Sequence, residues 1–327
     1  MKKLLVNIFV SPIRNKQKRH KIRKILLNIS TEEFREEIIP TTTTQDSIIE
    51  KCLSYARVQF PPELRIQYET YCQKLKEKLP QDRLENYEFK VYAQNGEDGV
   101  IEEIFNRIGF TNKSFVEFGV EIGVQCNTVF LLCQGWNGLW IDGNEQCCTY
   151  INETFNHYIQ DKKLHIKNAF ITRDNINDLI AEYYTGEIDL LSIDIDRNDY
   201  DVWEAIECIQ PRVVVAEYNA KFPPYINWHV PYQADEMWDF TDYCGMTLLA
   251  AAELGKRKGY VLVGTETNGV NCFFVRKDVF DKVQDRFNYP MSVKDLWNPA
   301  RYHLVGISPS GNIVSCKFPK LMRQSGT

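Results

Sequence analysis

Ser114-Phe115-Val116-Glu117-Phe118-Gly119-Val120-Glu121-Ile122-Gly123 is a short apolar run that ends in an acid and two glycines four residues apart. Such a run, bounded by a turn signal, predicts a buried strand over 114–118 with a ligand-facing turn after it. Downstream the same unit repeats. Further strands are predicted at Gly138–Ile141, Leu164–Lys167, Ile188–Ile193, Val213–Tyr218, Tyr260–Gly264 and Asn271–Arg276, most of them separated by stretches of helical periodicity. Strands alternating with helices make a parallel, doubly wound α/β sheet. The last two are joined by the short Thr265-Glu266-Thr267-Asn268-Gly269-Val270 connection, whose Asn-Gly signal predicts an antiparallel final hairpin.

Upstream the text is different. Residues 1–24 carry nine Lys/Arg and no acid, which leaves thirty cations against 44 acids, a net of −14, over the remainder. Basic and apolar residues mix over 13–27, so peripheral contact of residues 1–27 with an anionic membrane is expected; a solvated basic tail is the alternative. The acidic body opposes nucleic acid. Residues 1–45 are read as tail and linker, ending in Pro40-Thr41-Thr42-Thr43-Thr44. Residues 46–90 are read as a small helical preface (Ile48, Ile49, Cys52, Leu53, then Tyr68, Tyr71, Cys72, Leu75), and 91–327 as the Rossmann-like domain. Composition, 44% hydrophobic and 25% charged, is that of a globular chain and excludes disorder and coiled coil. The ten cysteines show no C-x-x-C pair or zinc spacing, and no apolar run is long enough to cross a bilayer. Reduced thiols and a cytoplasmic location, peripheral at the inner membrane face, follow as expectations.

In open α/β sheets the ligand lies beyond the carboxyl ends of the strands, so the strand ends hold the candidates. The first offers Glu117, Gly119, Glu121 and Gly123, followed by Asn127-Thr128. Two acids there would repel a pyrophosphate and suit the sulfonium and ammonium of S-adenosylmethionine. The second ends in Asp142-Gly143, where a carboxylate can accept from the two hydroxyls of a ribose. This suits an NAD-dependent sugar oxidoreductase equally well. Asn168 ends the third, with Phe170 close by.

The densest group is Ser192-Ile193-Asp194-Ile195-Asp196-Arg197-Asn198-Asp199-Tyr200. If the strand stays extended, Asp194 and Asp196 project to one side, and Glu217 and Asn219 do the same on the neighbouring strand. Four oxygen ligands on one edge repel unless a cation joins them, and hard oxygen donors favour Mg2+ or Ca2+. Hydrogen-bonded caps with no ion are the alternative. His229, in Tyr225-Ile226-Asn227-Trp228-His229, is a candidate general base. Tyr225, Trp228, Tyr232 and Trp238 are candidates to stack on a sugar, or simply anchors of a long loop.

A parallel sheet with one antiparallel hairpin at its edge is the architecture of class I methyltransferases. The blocks Tyr92-Ala93-Gln94-Asn95-Gly96-Glu97-Asp98, Phe115 to Gly119, Gly135 to Gly143, Ser192 to Tyr200 and Lys258 to Thr265 together resemble the FkbM-like methyltransferases over about 90–280. The resemblance implies S-adenosylmethionine-dependent O-methylation of a sugar or secondary-metabolite hydroxyl, and here of a surface polysaccharide or glycolipid precursor. It adds Gln94 and Glu97 to the donor-binding candidates, with Asp194 contributing from the fourth strand end. Macrocin-type relatives imply a Mg2+ cradle at Asp194, Asp196, Glu217 and Asn219, with Asp194 and Asp196 catalytic. Arg197 stands where the family commonly has Gly, which narrows the pocket or offers a cation to an anionic substrate. A non-catalytic scaffold of the same fold is the third alternative.

Overall fold

The computed structural model describes residues 62–238 and 241–301. The basic tail, residues 46–61 of the helical preface, Cys52 and Cys316 lie outside the described residues. The described chain begins with helix α1 (Pro62–Lys76) and a 3-10 turn (Leu84–Tyr87), then α2 (Glu97–Ile108) and β1 (Ser114–Phe118). It continues through α3 (Val129–Cys133), β2 (Asn137–Asp142), α4 (Glu145–Thr154), α5 (Asn156–Gln160), β3 (Leu164–Asn168), α6 (Ile176–Ala181) and β4 (Gly186–Ile193). The rest comprises α7 (Asp199–Ala205), β5 (Ile209–Glu217), α8 (Leu248–Arg257), β6 (Tyr260–Thr265), β7 (Asn271–Arg276), α9 (Lys277–Phe280) and α10 (Val293–Leu296).

The seven strands form one sheet in the order β3-β2-β1-β4-β5-β7-β6. All pairings are parallel except those of β7, which runs antiparallel to both β5 and β6. This is the seven-stranded class I methyltransferase architecture expected from the sequence. Its strands occupy the expected stretches, with one notable difference: β5 starts at Ile209, ahead of Pro211. Pairing with β7 begins only at Val213, so the missing N–H of Pro211 costs no bond on that side.

Helices cover both faces, which is why the central strands read as continuous apolar runs. Leu190, Leu191, Val213, Val214 and Val215 are fully buried, as are Phe115 and Phe118 of β1. Each such side chain contributes about 2 kcal/mol of burial. α2 lays Val100, Ile101, Ile104 and Phe105 on the core at helical spacing. On the far side Trp203 of α7 meets Phe274 of β7 with ring centroids 4.9 Å apart. The Thr247 hydroxyl accepts from Ala250 N and starts α8, whose last turn carries Lys256 and Arg257 against the helix dipole. All eight described cysteines are unbridged, and no helix among the described residues is long and apolar enough to cross a membrane.

After β1 the chain winds outward through β2 and β3, then returns to place β4 on the other side of β1. Strand order therefore reverses between β1 and β4, and the crevice beyond Phe118 and Ile193 is the natural ligand position.

Candidate active site

The floor of that crevice is set by a close backbone approach. Gly119 has φ +72°, and a Cβ placed on it would lie 1.6 Å from the Asp194 carbonyl oxygen. Only a glycine lets the turn after β1 lie this close to the end of β4. The next turn residues fold over β2, where Asp142 Oδ2 accepts from Glu121 N at 2.8 Å and Oδ1 from Asn144 N at 2.7 Å. Each carboxylate oxygen has a second lone pair for a ligand. Gly123 lies against the Trp140 and Phe155 rings, closing the turn from behind.

Glu117, expected to face the donor, is only 4% exposed and is held by the chain's own groups. It accepts from Asn127 N (2.8 Å), Thr128 N (3.1 Å), the Thr128 hydroxyl and the Ser192 hydroxyl (3.1 Å). Burial pushes its carboxyl up to about 6 against these hydrogen bonds. Asn127 donates to Ser192 Oγ, and Thr128 Oγ1 accepts from Trp140 Nε1. Glu117, Asn127 and Thr128 thus form an internal network that fixes the turn between β1 and α3. Glu97 is likewise buried, accepting from Asn95 N and Nδ2 and from Asn271 Nδ2. Gln94 is exposed on the same strap, which Asp98 holds by accepting from the N–H groups of Val91, Tyr92 and Ala93. Asn168 donates to the Asp142 carbonyl. Exposed Gly143 lies beside the Phe170 ring, which is itself 46% exposed; a Cβ on Gly143 would lie 3.5 Å from that ring.

The remaining acids are different. Carboxylate oxygens of Asp194, Asp196 and Glu217 all lie within 4.8 Å of one another. Among the described residues none of the three carboxylates has a hydrogen-bond donor or ion-pair partner. Burial, followed by the charges of Glu217, Asp196, Asp199 and Glu121, pushes the Asp194 carboxyl well above the usual carboxylate range. Burial and the charges of Asp196 and Asp199 do the same to Glu217, with Lys221 opposing. Asp196 is raised by burial and then by Asp142, and Glu121 by burial, Asp196 and Asp142. Asp194 and Glu217 are half-buried and Asp196 is exposed, so water reaches the cluster and moderates the push on Asp196.

The route to this convergence differs from the extended strand end expected. β4 stops at Ile193, and Asp196 adopts a left-handed conformation, φ +65°. A turn, and not pleat alternation, brings Asp196 back beside Asp194. Asp199, not singled out from the sequence, stabilises that turn by accepting from Ile195 N at 2.8 Å; burial raises its carboxyl to about 6. The fourth expected ligand, Asn219, donates its amide to the Asp242 and Cys244 carbonyls and accepts from Lys221 N. His229 stacks on Tyr200, centroids 3.7 Å apart, and burial lowers its pKa against the opposing charges of Asp201 and Glu204. Trp228 lies between Phe222 and Tyr243, and Tyr232 beneath the Arg173 guanidinium, while Tyr225 is 75% exposed.

No family model and no curated protein matches this sequence. Among solved structures it is similar to the O-methyltransferase from Bacillus cereus in complex with SAH, at 12% identity and a TM-score of 0.37, over 69% of this chain and 95% of that one. It is similar also to the N-terminal domain of EvdMO1 with SAH bound (13%, 0.35, 64% and 94%). A SAM-dependent methyltransferase from Aquifex aeolicus is a third (10%, 0.34, 63% and 98%).

Proposed function

We propose that the chain is an S-adenosylmethionine-dependent O-methyltransferase that acts on a sugar hydroxyl of a surface polysaccharide or glycolipid precursor. The observation that carries this reading is the set of uncompensated acids at the switch point: Glu121, Asp194, Asp196 and Glu217, with Asp142 beside them. Such a crevice attracts a cationic sulfonium nucleoside and repels the pyrophosphate of NAD. Asp142 has acceptor capacity left for the ribose hydroxyls, and Phe170 with Gly143 offers a flat apolar border for a base. The sugar part of the proposal rests on the resemblance to FkbM-like enzymes and on the aromatic residues of 222–243.

When bound, the donor supplies a methyl carbon already activated by its sulfonium, so the chain must align the acceptor oxygen and manage one proton. Asp194, Asp196 and Glu217 fit a hard divalent ion such as Mg2+: three carboxylates, raised by burial and by neighbouring acids, with no donor of their own among the described residues. The ion would lower the pKa of an acceptor hydroxyl, which removes the need for a strong base. Without it, His229 is the remaining candidate to take the proton. Asp199 and Gly119 hold the turn that keeps the three acids together.

Calorimetric titration tests the donor and an activity assay the metal. S-adenosylhomocysteine is expected to bind and NAD not to bind; the reverse order would replace the methyl-transfer reading with a redox one. Turnover should disappear in EDTA and return with Mg2+, whereas full turnover in EDTA would move the proton to His229. We also propose that the basic segment 1–27 holds the enzyme at the cytoplasmic face of an anionic membrane. Its deletion should abolish co-sedimentation with phosphatidylglycerol vesicles at low salt, and undiminished sedimentation of the truncated chain would remove the idea.

A further inference from the structure

Arg197 follows Asp196 directly, so about 3.8 Å separates its Cα from that of a pocket acid. The residue is only 3% exposed. A guanidinium carries five N–H donors and keeps its charge at all relevant pH values. Here Nη2 meets Glu236 Oε2 at 2.5 Å, and Nε is buried with no partner among the described residues. None of Asp194, Asp196 and Glu217 pairs with it, so its charge is not used to neutralise the cluster. A buried guanidinium this short of acceptors is unfavourable unless another anion completes it.

Its one ion-pair partner among the described residues is built to leave. The Glu236 side chain is 50% exposed, on a segment fastened by polar contacts to the turn that carries Arg197. Asn198 Nδ2 donates to Gln233 O at 2.9 Å, and Gln233 N to Asn198 Oδ1 at 3.5 Å. With its amide nitrogen turned towards Glu236, Gln233 also donates to Glu236 Oε2 at 3.2 Å. A carboxylate sits on a buried guanidinium at the rim of the crevice, and water can reach that carboxylate. This is the arrangement an incoming oxyanion can displace, because a carboxylate or phosphate matches two N–H groups at once.

We propose that Arg197 is the recognition site for an anionic group on the acceptor, a uronate carboxylate or a sugar phosphate, which takes the guanidinium from Glu236. Assigning that anion to the acceptor rests on the methyl-transfer reading; the anion site does not. On this view Glu236 is an internal stand-in for the substrate, and neutral sugars leave Arg197 paired with the loop.

The test titrates glucuronate, glucose 6-phosphate and glucose into the full chain by NMR. Both anions should bind and glucose should not, and whichever anion binds tighter identifies the source. Glu236→Gln, which removes the competing charge, should tighten anion binding about tenfold or more. Arg197→Met should lose it. Anion binding no tighter than glucose in both wild type and Glu236→Gln overturns the site, as does wild-type affinity in Arg197→Met. S-adenosylhomocysteine is titrated into the same samples. Anions bound without the nucleoside would sink the methyl-transfer reading and keep the site; the nucleoside bound without anions would do the opposite.

Discussion

Asp194→Asn is expected to make the unliganded protein more stable while it destroys activity. Asp194 has the most crowded charge environment of the pocket: Glu217, Asp196, Asp199 and Glu121 all raise its pKa, after burial itself. Removing one negative charge relieves that repulsion, and the isosteric amide leaves the backbone approach of residue 194 to Gly119 unchanged. A gain of about 1 kcal/mol would raise Tm by about 2–4 °C in a domain of this size. Turnover should fall by about 10²- to 10³-fold, the usual loss when one preorganised electrostatic group leaves a reaction centre.

The pH dependence has a definite sign. A carboxyl whose folded pKa lies above its unfolded one binds protons more tightly in the native state, so stability falls as pH rises between the two values. Glu117, raised from 4.5 to about 6, contributes a loss of about 2 kcal/mol across that window. Asp199, raised from 3.8 to about 6, and Asp194 and Glu217, raised further, add to it in the same direction. Unliganded protein should therefore melt higher at pH 5 than at pH 7.5, and Mg2+ should recover at pH 7.5 the part of the difference that belongs to Asp194, Asp196 and Glu217. In Asp194→Asn both the pH slope and the Mg2+ effect should shrink. Thermal melts across pH decide this; a variant less stable than wild type at pH 7.5 without Mg2+ would sink the repulsion account.

The second large effect is at Gly119. Alanine there must place its Cβ 1.6 Å from the Asp194 oxygen and 2.8 Å from its carbonyl carbon, with φ at +72°. The left-handed backbone costs about 1–2 kcal/mol and the overpacking about 1–3 kcal/mol more. Together they should lower Tm by about 10 °C and displace Asp194 from Asp196 and Glu217, so that divalent-ion binding weakens as well. Gly135 provides the control. It has φ +83° but no atom within 4 Å of an added Cβ, so Gly135→Ala should show only the backbone part. Equal Tm losses at the two positions would mean that the approach of β1 to β4 is not the constraint inferred.

The same contrast between local and distant causes separates what was legible in the sequence from what was not. Strand positions, the parallel order and the antiparallel hairpin could be read from apolar runs, Gly/Asn turn signals and strand–helix alternation, because these are set by neighbours a few residues apart. The chemical types at the strand ends were legible for the same reason, including Glu117, Asp142 and Asp194. Which acids are free was not. Glu117 and Glu97 look like pocket acids in one dimension, yet both are satisfied by the chain's own donors, partly from the adjoining turns and partly from Ser192 and Asn271, far along the chain. Asp194, Asp196 and Glu217 become a cluster only because β4 and β5 lie side by side and a left-handed turn reverses Asp196. Arg197 stands out in the sequence as a cation where the resembled family commonly has Gly, but its burial and its pairing with the exposed Glu236 come from a loop that returns about forty residues later. Sequence alone determined the fold and the inventory of charged groups, since periodicity is a short-range property. Tertiary structure decided which charges are compensated, since compensation depends on distances between residues remote in the chain.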